Sequence, residues 1–181
     1  MKRSNTSQDA GFSMIEVLIA IVIVAIGLLG VAKMQAAAVS NTQVSRVQSL
    51  MALQARSLAA AMHANRGFWA AGAAPAAWTA TGSTVNDPSG VLSNAGVNCG
   101  GGSTCDPPSL AAYDVQTWVA NMNSQFPTYN ANVTCTTALS APISCSIQLS
   151  WLEKTVAINR GTAASAAQQT TTQQYTLLVE P

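Results

Sequence analysis

Charged residues are scarce in this sequence. Asp, Glu, Lys and Arg make up 8% of its 181 residues, whereas about a quarter is usual for a globular domain. With 8 basic and 7 acidic residues the net charge is +1, and Arg46, Arg56 and Arg66 are scattered along one predicted helix. A basic patch, which would indicate a nucleic-acid partner, is missing, so no nucleic acid is expected as a partner.

Candidate catalytic residues are equally few. The single histidine, His63, lies in a predicted helix, and the acidic residues are dispersed without an obvious catalytic dyad or triad. Glycines at positions 100–102 are not followed by the Lys-Ser or Lys-Thr pair of a phosphate-binding loop. We therefore expect neither an enzyme nor a bound cofactor.

The sequence has no cysteine before position 99 and an even number, four, after it. They are Cys99, Cys105, Cys135 and Cys145. Such a set indicates two disulfides and an oxidising compartment; the alternative, a zinc site, is disfavoured because no C-x-x-C pair occurs. Four cysteines allow three pairings, and we expect Cys99–Cys105 and Cys135–Cys145 because local pairs close short loops within single structural units.

The N-terminal segment combines a short polar stretch with a long apolar one. Residues 1–11 are polar and include Lys2 and Arg3, while residues 12–32 carry one charge, Glu16. At ~1.5 Å per residue the apolar stretch spans ~30 Å as a helix, enough to cross a bilayer. Basic residues ahead of the span predict a cytoplasmic leader and export of the remainder.

A general secretory signal, cleaved near Ala36-Ala37-Ala38, or a plain membrane anchor is the alternative reading of this segment. Against both, the apolar run exceeds the usual ~7–15 residues of a signal peptide. Glu16 within it would also cost ~2.5–3.5 kcal/mol on insertion, so a partner and a function are expected for it. Cleavage between Gly11 and Phe12 would create an amine four residues before Glu16, close enough to pair on a helix, or to be met by Glu16 of a neighbouring subunit.

The segment Gly11-Phe12-Ser13-Met14-Ile15-Glu16-Val17 resembles the class III signal of type IV prepilins and type II secretion pseudopilins. That pattern is Gly, usually Phe, then apolar residues, with Glu at the fifth mature position. The resemblance implies that a prepilin peptidase cleaves after Gly11, that Phe12 becomes the N-methylated first residue, and that Glu16 acts in assembly.

Residues 1 to about 66 are similar in detail to PilV-type minor pilins. The similarity includes Gly27-Leu28-Leu29-Gly30 with Gln35, and Ala61–Arg66, which resembles an R-M-R-A-N-R segment. It implies a minor pilin of the type IV pilus that supports pilus assembly, twitching motility and adhesion. Its partners would be the prepilin peptidase, the major pilin and other minor pilins, the inner-membrane assembly platform and a tip-associated adhesin.

The same resemblance implies a single-pass inner-membrane protein with a periplasmic C-terminal region, which later joins an extracellular pilus. Two alternatives are kept. One is a minor pseudopilin of the type II secretion system, which shares the N-terminal signal. The other is a pilus-borne adhesin module, whose binding function residues 67–109 would carry.

Periodicity predicts an α+β fold in which a long N-terminal helix packs on a small antiparallel sheet. The helix is expected from about 13 to 65, ending before Gly67, with two helices broken near Gly27 and Gly30 as the alternative. Its apolar stripe comprises Val44, Val47, Met51, Ala55, Leu58 and Met62.

The remainder is expected to contain a long loop at 67–109, a helix at about 109–125, and three or four strands. Apolar residues alternate with polar ones over 143–151 and again over 175–179. The sequence thus predicts four segments: a cleaved leader at 1–11, a transmembrane and filament-core half-helix at 12–32, an amphipathic half-helix at 33–66, and a periplasmic globular region at 67–181.

Overall fold

A computed structural model describes residues 13–136, 142–154 and 170–181. Its first element, α1, runs without interruption from Met14 to Ala64 and has 51 residues. The helix passes through Gly27 and Gly30, so it is not broken there. The chain divides into two compact units, Met1–Thr42 and Gln43–Pro181.

In the second unit, one face of α1 enters the core. Met51, Ala55, Leu58 and Met62 are each at most 1% exposed, which confirms the C-terminal part of the predicted stripe. Val47 is half-buried and packs against the same core. Repetition of apolar residues at steps of three or four places them on one side of a helix.

The end of α1 at Ala64 agrees with the predicted end at about 65. Beyond Ala64, the Asn65 N–H donates to the carbonyls of Ala61 and Met62, at 3.2 Å each. The chain then enters a short helix, α2, at Arg66–Trp69. Gly67 lies inside α2 and lacks the positive φ of a glycine cap. The long helix therefore ends before Gly67 as predicted, but Gly67 does not cap it.

A hairpin lies within the segment expected to be a loop. Strand β1 spans Ala77–Thr81 and β2 spans Thr84–Asn86, joined by Gly82-Ser83 with Gly82 at φ +56°. Glycine at the first central position suits a two-residue hairpin turn. The loop prediction for 67–109 is therefore wrong here, because strands built mainly of Ala and Thr carry little hydrophobic periodicity.

Three longer strands complete the sheet. They are β3 at Asn130–Cys135, β4 at Cys145–Lys154 and β5 at Thr170–Val179. All neighbours pair antiparallel, in the order β2-β1-β3-β4-β5. The described sheet thus has five strands rather than three or four, the difference being the unpredicted β1–β2 hairpin.

Helix α3, Pro107–Gln125, covers the core together with α1. Its buried residues recur at helical spacing: Ala111, Val115, Trp118, Val119 and Met122. The Trp118 indole Nε1–H donates to the Gln54 carbonyl of α1 at 2.9 Å. On the sheet, Cys145, Ile147, Leu149 and Trp151 alternate inward along β4. The fold is α+β, with a long N-terminal helix packed on a small antiparallel sheet, as predicted.

Candidate membrane and assembly segment

Two of the predicted site residues, Gly11 and Phe12, lie outside the described residues, which begin at Ser13. The Ser13 carbonyl accepts hydrogen bonds from the N–H groups of Glu16 and Val17, at 3.0 and 3.4 Å. Glu16 therefore lies in the first turn of α1. A carboxylate there interacts favourably with the unpaired N–H groups and the positive end of the helix dipole.

The part of α1 that follows Glu16 exposes apolar side chains on all sides. Between Val17 and Val39, the exposure of its large apolar residues ranges from 49% at Val17 to 75% at Met34. Ordinary soluble surfaces do not carry continuous apolar area of this extent, which marks contact with a membrane or another protein. By length and composition the helix is sufficient to cross a membrane.

Glu16 is the only charged residue between Ser13 and Val31, and Lys33 is the next along the chain. Ala20 follows at i+4 and therefore lies on the same side of the helix. A carboxylate within an apolar surface needs a counter-charge when water is removed. The predicted partner, an amine on Phe12, lies outside the described residues.

The four predicted disulfide residues lie in the second unit, in two separate places. Cys99 bonds to Cys105, with Cα atoms 5.8 Å apart, and Gly101 and Gly102 between them take φ values of +69° and +88°. Only glycine adopts these values without strain, so the small loop depends on them.

The second disulfide joins Cys135 of β3 to Cys145 of β4, with Cα atoms 4.0 Å apart. The two cysteines are direct partners in the strand register, and Cys145 is 1% exposed. The bond therefore links β3 to its neighbour β4 at one end of the sheet.

Polar groups in the second unit organise loops and helix contacts. The Asp87 carboxylate, 7% exposed, accepts hydrogen bonds from the Ser89 N–H and hydroxyl and from the Leu92 N–H. Sequence reasoning missed this role, although Asp-Pro-Ser-Gly is a turn sequence. Among the described residues, no group of three or more His, Cys, Asp or Glu is placed to hold a metal ion.

Two groups near α3 have raised pKa values. Burial raises the pKa of the Asp114 carboxyl above its ordinary value; this residue lies in a cleft with Gln54 and Ser57 of α1. Burial also raises the pKa of the Tyr129 hydroxyl to about 12. The Tyr129 ring packs edge-on against Trp118, at 6.2 Å between centroids, and its hydroxyl donates to the Gly82 carbonyl. Tyr129 thus holds the turn of the β1–β2 hairpin.

Comparison with known families gives one match in the N-terminal segment. Residues 6–32 match the family described as "Prokaryotic N-terminal methylation motif". No curated protein and no solved structure matches the chain. The matched residues contain the Gly11–Phe12 junction, Glu16 and the exposed apolar turns of α1. The fold, a long N-terminal helix with a small antiparallel sheet, is consistent with a pilin-like fold. The match supports a type IV pilin-like or pseudopilin-type protein, and with the apolar helix it fits a membrane-anchored pilin.

Proposed function

We propose that this protein is a minor pilin of the type IV pilus, of the PilV type, which supports pilus assembly and thereby twitching motility and adhesion. The observation that carries the proposal is the methylation motif at residues 6–32. It coincides with the exposed apolar turns of a helix whose later residues, from Gln43, belong to a disulfide-bonded α+β unit. One half of the helix is suited to membrane and filament packing, and the other to carrying the exported unit.

In this proposal a prepilin peptidase removes residues 1–11, and the new amine of Phe12 is methylated. A free amine at the start of an apolar helix is costly to bury unless a carboxylate compensates it. Glu16 provides that carboxylate in the first turn. Where it pairs with the amine of an adjacent subunit, the pair fixes the axial position of one subunit relative to the next.

The proposed location is first the inner membrane, with residues 33–181 on the periplasmic side, and then the extracellular pilus. Partners are the peptidase, the major pilin, other minor pilins, the inner-membrane assembly platform and a tip-associated adhesin. Proteins of this class are generally structural rather than enzymatic. The disulfides Cys99–Cys105 and Cys135–Cys145 suit the oxidising compartment that this route requires.

A minor pseudopilin of the type II secretion system is the second candidate, because the methylation motif is common to both. We favour the pilus because of the similarity of residues 1–66 to PilV-type proteins and because of the two cysteine pairs. The third candidate is a pilus-borne adhesin module, whose binding function residues 67–109 would carry.

The test is made in cells that produce pili, with the native protein followed by mass spectrometry. We expect an N-terminal peptide that begins at methylated Phe12, recovery of the protein in sheared pili, and fewer pili when its gene is deleted. A Gly11→Val variant, blocked at the cleavage junction, serves as the unprocessed control. Normal piliation with defective enzyme secretion would identify a pseudopilin instead, and a terminus after Ala38 would contradict both readings.

A further inference from the structure

Helices α1 and α3 enclose a polar cleft with a volume of about 190 Å³. Its lining includes Gln54 and Ser57 of α1, and Asp114, Thr117 and Asn121 of α3. Steps of three and four residues place side chains on one face of a helix, so each helix turns one polar face to the cleft. All of these residues belong to the second compact unit. The polar groups of two helices therefore converge at one place within that unit.

Asp114 is the only charged residue in the lining of this cleft. It is half-buried, and burial raises the pKa of its carboxyl with no contribution from a neighbouring charge. Helix α3 contains no basic residue, and the nearest basic residues along α1 and α2 are absent from the lining: Arg56, His63 and Arg66. Within the described part of the chain, the carboxylate therefore has no counter-charge in the cleft.

Two aromatic side chains complete the lining, and contacts outside the cleft hold both. The Trp118 indole Nε1–H donates to the Gln54 carbonyl at 2.9 Å, which fixes the ring against α1. The Tyr113 hydroxyl lies against the loop closed by Cys99–Cys105, so closely that a Cβ on Gly100 would be 3.0 Å from its oxygen. The aromatic walls are thus held in place before any ligand arrives, which lowers the entropic cost of binding.

The chemistry of the lining favours a planar cation. The carboxylate attracts positive charge, and the amide and hydroxyl oxygens around it accept further hydrogen bonds. A guanidinium group presents five N–H donors in one plane and stacks on aromatic rings, whereas an ammonium group is a compact, strongly hydrated point charge. An anionic ligand would meet only the negative charge of Asp114. The cleft therefore suits arginine better than lysine, and excludes phosphates and carboxylates.

The size of the cleft indicates where the guanidinium group comes from. Sites for drug-sized ligands have volumes of about 300–1,000 Å³, and this cleft is smaller. It has room for the end of one side chain. Arginine is enriched in interfaces between proteins and is among the residues that contribute most to their affinity. An arginine that belongs to a protein is therefore favoured over a free small molecule.

We propose that the cleft between α1 and α3 binds the guanidinium group of an arginine side chain presented by another protein molecule. Asp114 accepts hydrogen bonds from the guanidinium group, Gln54 and Asn121 supply further acceptors, and Tyr113 and Trp118 flank its plane. This interaction goes beyond the proposed pilus role, and its test needs neither leader cleavage nor filament assembly.

The probe is acetyl-arginine methylamide, which mimics an arginine within a polypeptide. It is titrated into the full chain in detergent micelles, and the resonances of the Trp118 indole N–H and the Asp114 and Thr117 amides are followed by nuclear magnetic resonance. We expect saturable shifts at all three. The matching citrulline compound has nearly the same shape without the charge and should bind about tenfold more weakly or less. The lysine compound should have intermediate affinity.

Matched variants separate the cleft from the general charge of the protein. Asp114→Asn keeps the shape and removes the carboxylate, and should lower the affinity for the arginine compound by about tenfold or more. Asp106→Asn removes an equal charge from an exposed position at the start of the same helix, outside the lining. It should change the affinity by less than about twofold. Melting temperatures verify that both variants are folded.

Two further measurements identify the source of the arginine. Free L-arginine carries an α-carboxylate for which the cleft has no basic partner, so it should bind no more tightly than the blocked compound. Sedimentation of the chain in micelles is measured with and without the blocked compound. If the compound lowers the oligomeric state, the arginine comes from a second copy of the chain; if the state is unchanged, it comes from a different protein.

Several results would overturn the proposal. These are shifts that are absent or do not saturate, equal affinity for the arginine and citrulline compounds, and equal loss of affinity in Asp114→Asn and Asp106→Asn. Tighter binding of free L-arginine than of the blocked compound would also overturn it, because the site would then be one for the free amino acid.

Discussion

The two halves of α1 are equally regular as helix and opposite in burial. Leu28, in the first half, is 64% exposed, whereas Leu58, in the second, is 1% exposed. The first half is apolar on every side, so no single neighbouring element can cover it, and a surrounding apolar medium or several neighbours must. The second half is apolar on one stripe, which the sheet and α3 cover. The first half is therefore a surface that other molecules must cover, whereas the second half is covered by the rest of the chain.

Removing the single carboxylate of the exposed half should have the largest effect on assembly. Glu16→Ala relieves a burial cost of ~2.5–3.5 kcal/mol in the lone membrane protein, and so leaves insertion intact. In an assembled stack it leaves an amine without its counter-charge, which typically costs ~3–5 kcal/mol. The amount of protein in sheared pili relative to membranes should therefore fall strongly. Val17→Ala is the control, and equal partition of Glu16→Ala and wild type would remove the assembly role of Glu16.

Truncating one leucine in each half should sharpen the contrast. Leu58→Ala removes a buried side chain and should lower the free energy of unfolding of the Gln43–Pro181 unit by ~2–5 kcal/mol. Leu28→Ala removes an exposed one and should change that quantity by less than ~0.5 kcal/mol. Denaturant unfolding in detergent, followed by near-ultraviolet circular dichroism, measures both. Similar losses for the two variants would mean that Leu28 also contributes to the stability of that unit.

Each disulfide should contribute a smaller amount to the free energy of unfolding. The contribution is to the Gln43–Pro181 unit, which contains all four cysteines. Loop-closure entropy assigns about 2–3 kcal/mol to a bridge across a loop of this size, with sequence separations of 6 and 10. Replacing Cys135 and Cys145 by Ser should cost slightly more than replacing Cys99 and Cys105, because the loop is longer. Peptide mapping without reductant checks the pairing first; a Cys99–Cys135 link would refute the assignment.

The smallest effect is expected at Asp114, on the helix that covers the buried half. Burial raises the pKa of its carboxyl, so the folded state favours the protonated form. That contribution to stability is complete below the ordinary pKa of 3.8 and is lost as the pH rises through the raised value. Asp114→Asn should therefore raise the melting temperature at pH 7, with the gain shrinking toward pH 3.8. Glu180→Gln, at an exposed position, removes an equal charge and is the control for the change in net charge.

Local patterns were sufficient to predict both halves of α1 and the inward alternation of β4. Each depends on periodic spacing within one segment. The β1–β2 hairpin was missed because its alternation is short and weak: Trp78 is the single large apolar residue of β1, and the other inward residue, Ala80, is small. Gly82-Ser83 was the available turn signal.

Other features depend on pairing between distant segments. Which strand lies at a sheet edge depends on the order in which the strands pair. The edge position of β5 could therefore not be derived from its own sequence. The loop role of Asp87 likewise depends on backbone N–H groups that only the folded turn brings together.

The two disulfides also determine how the second unit responds to a pulling force. Tension applied between α1 and the C-terminus passes through each sulfur bridge and bypasses the chain that it encloses. With sequence separations of 6 and 10 and at most ~3.6 Å per extended residue, roughly 50 Å of contour length stays unavailable until both bridges are reduced. A single-molecule extension trace should lengthen by about that amount when reductant is added. The unit is thereby limited in how far it can be stretched before any covalent bond is broken.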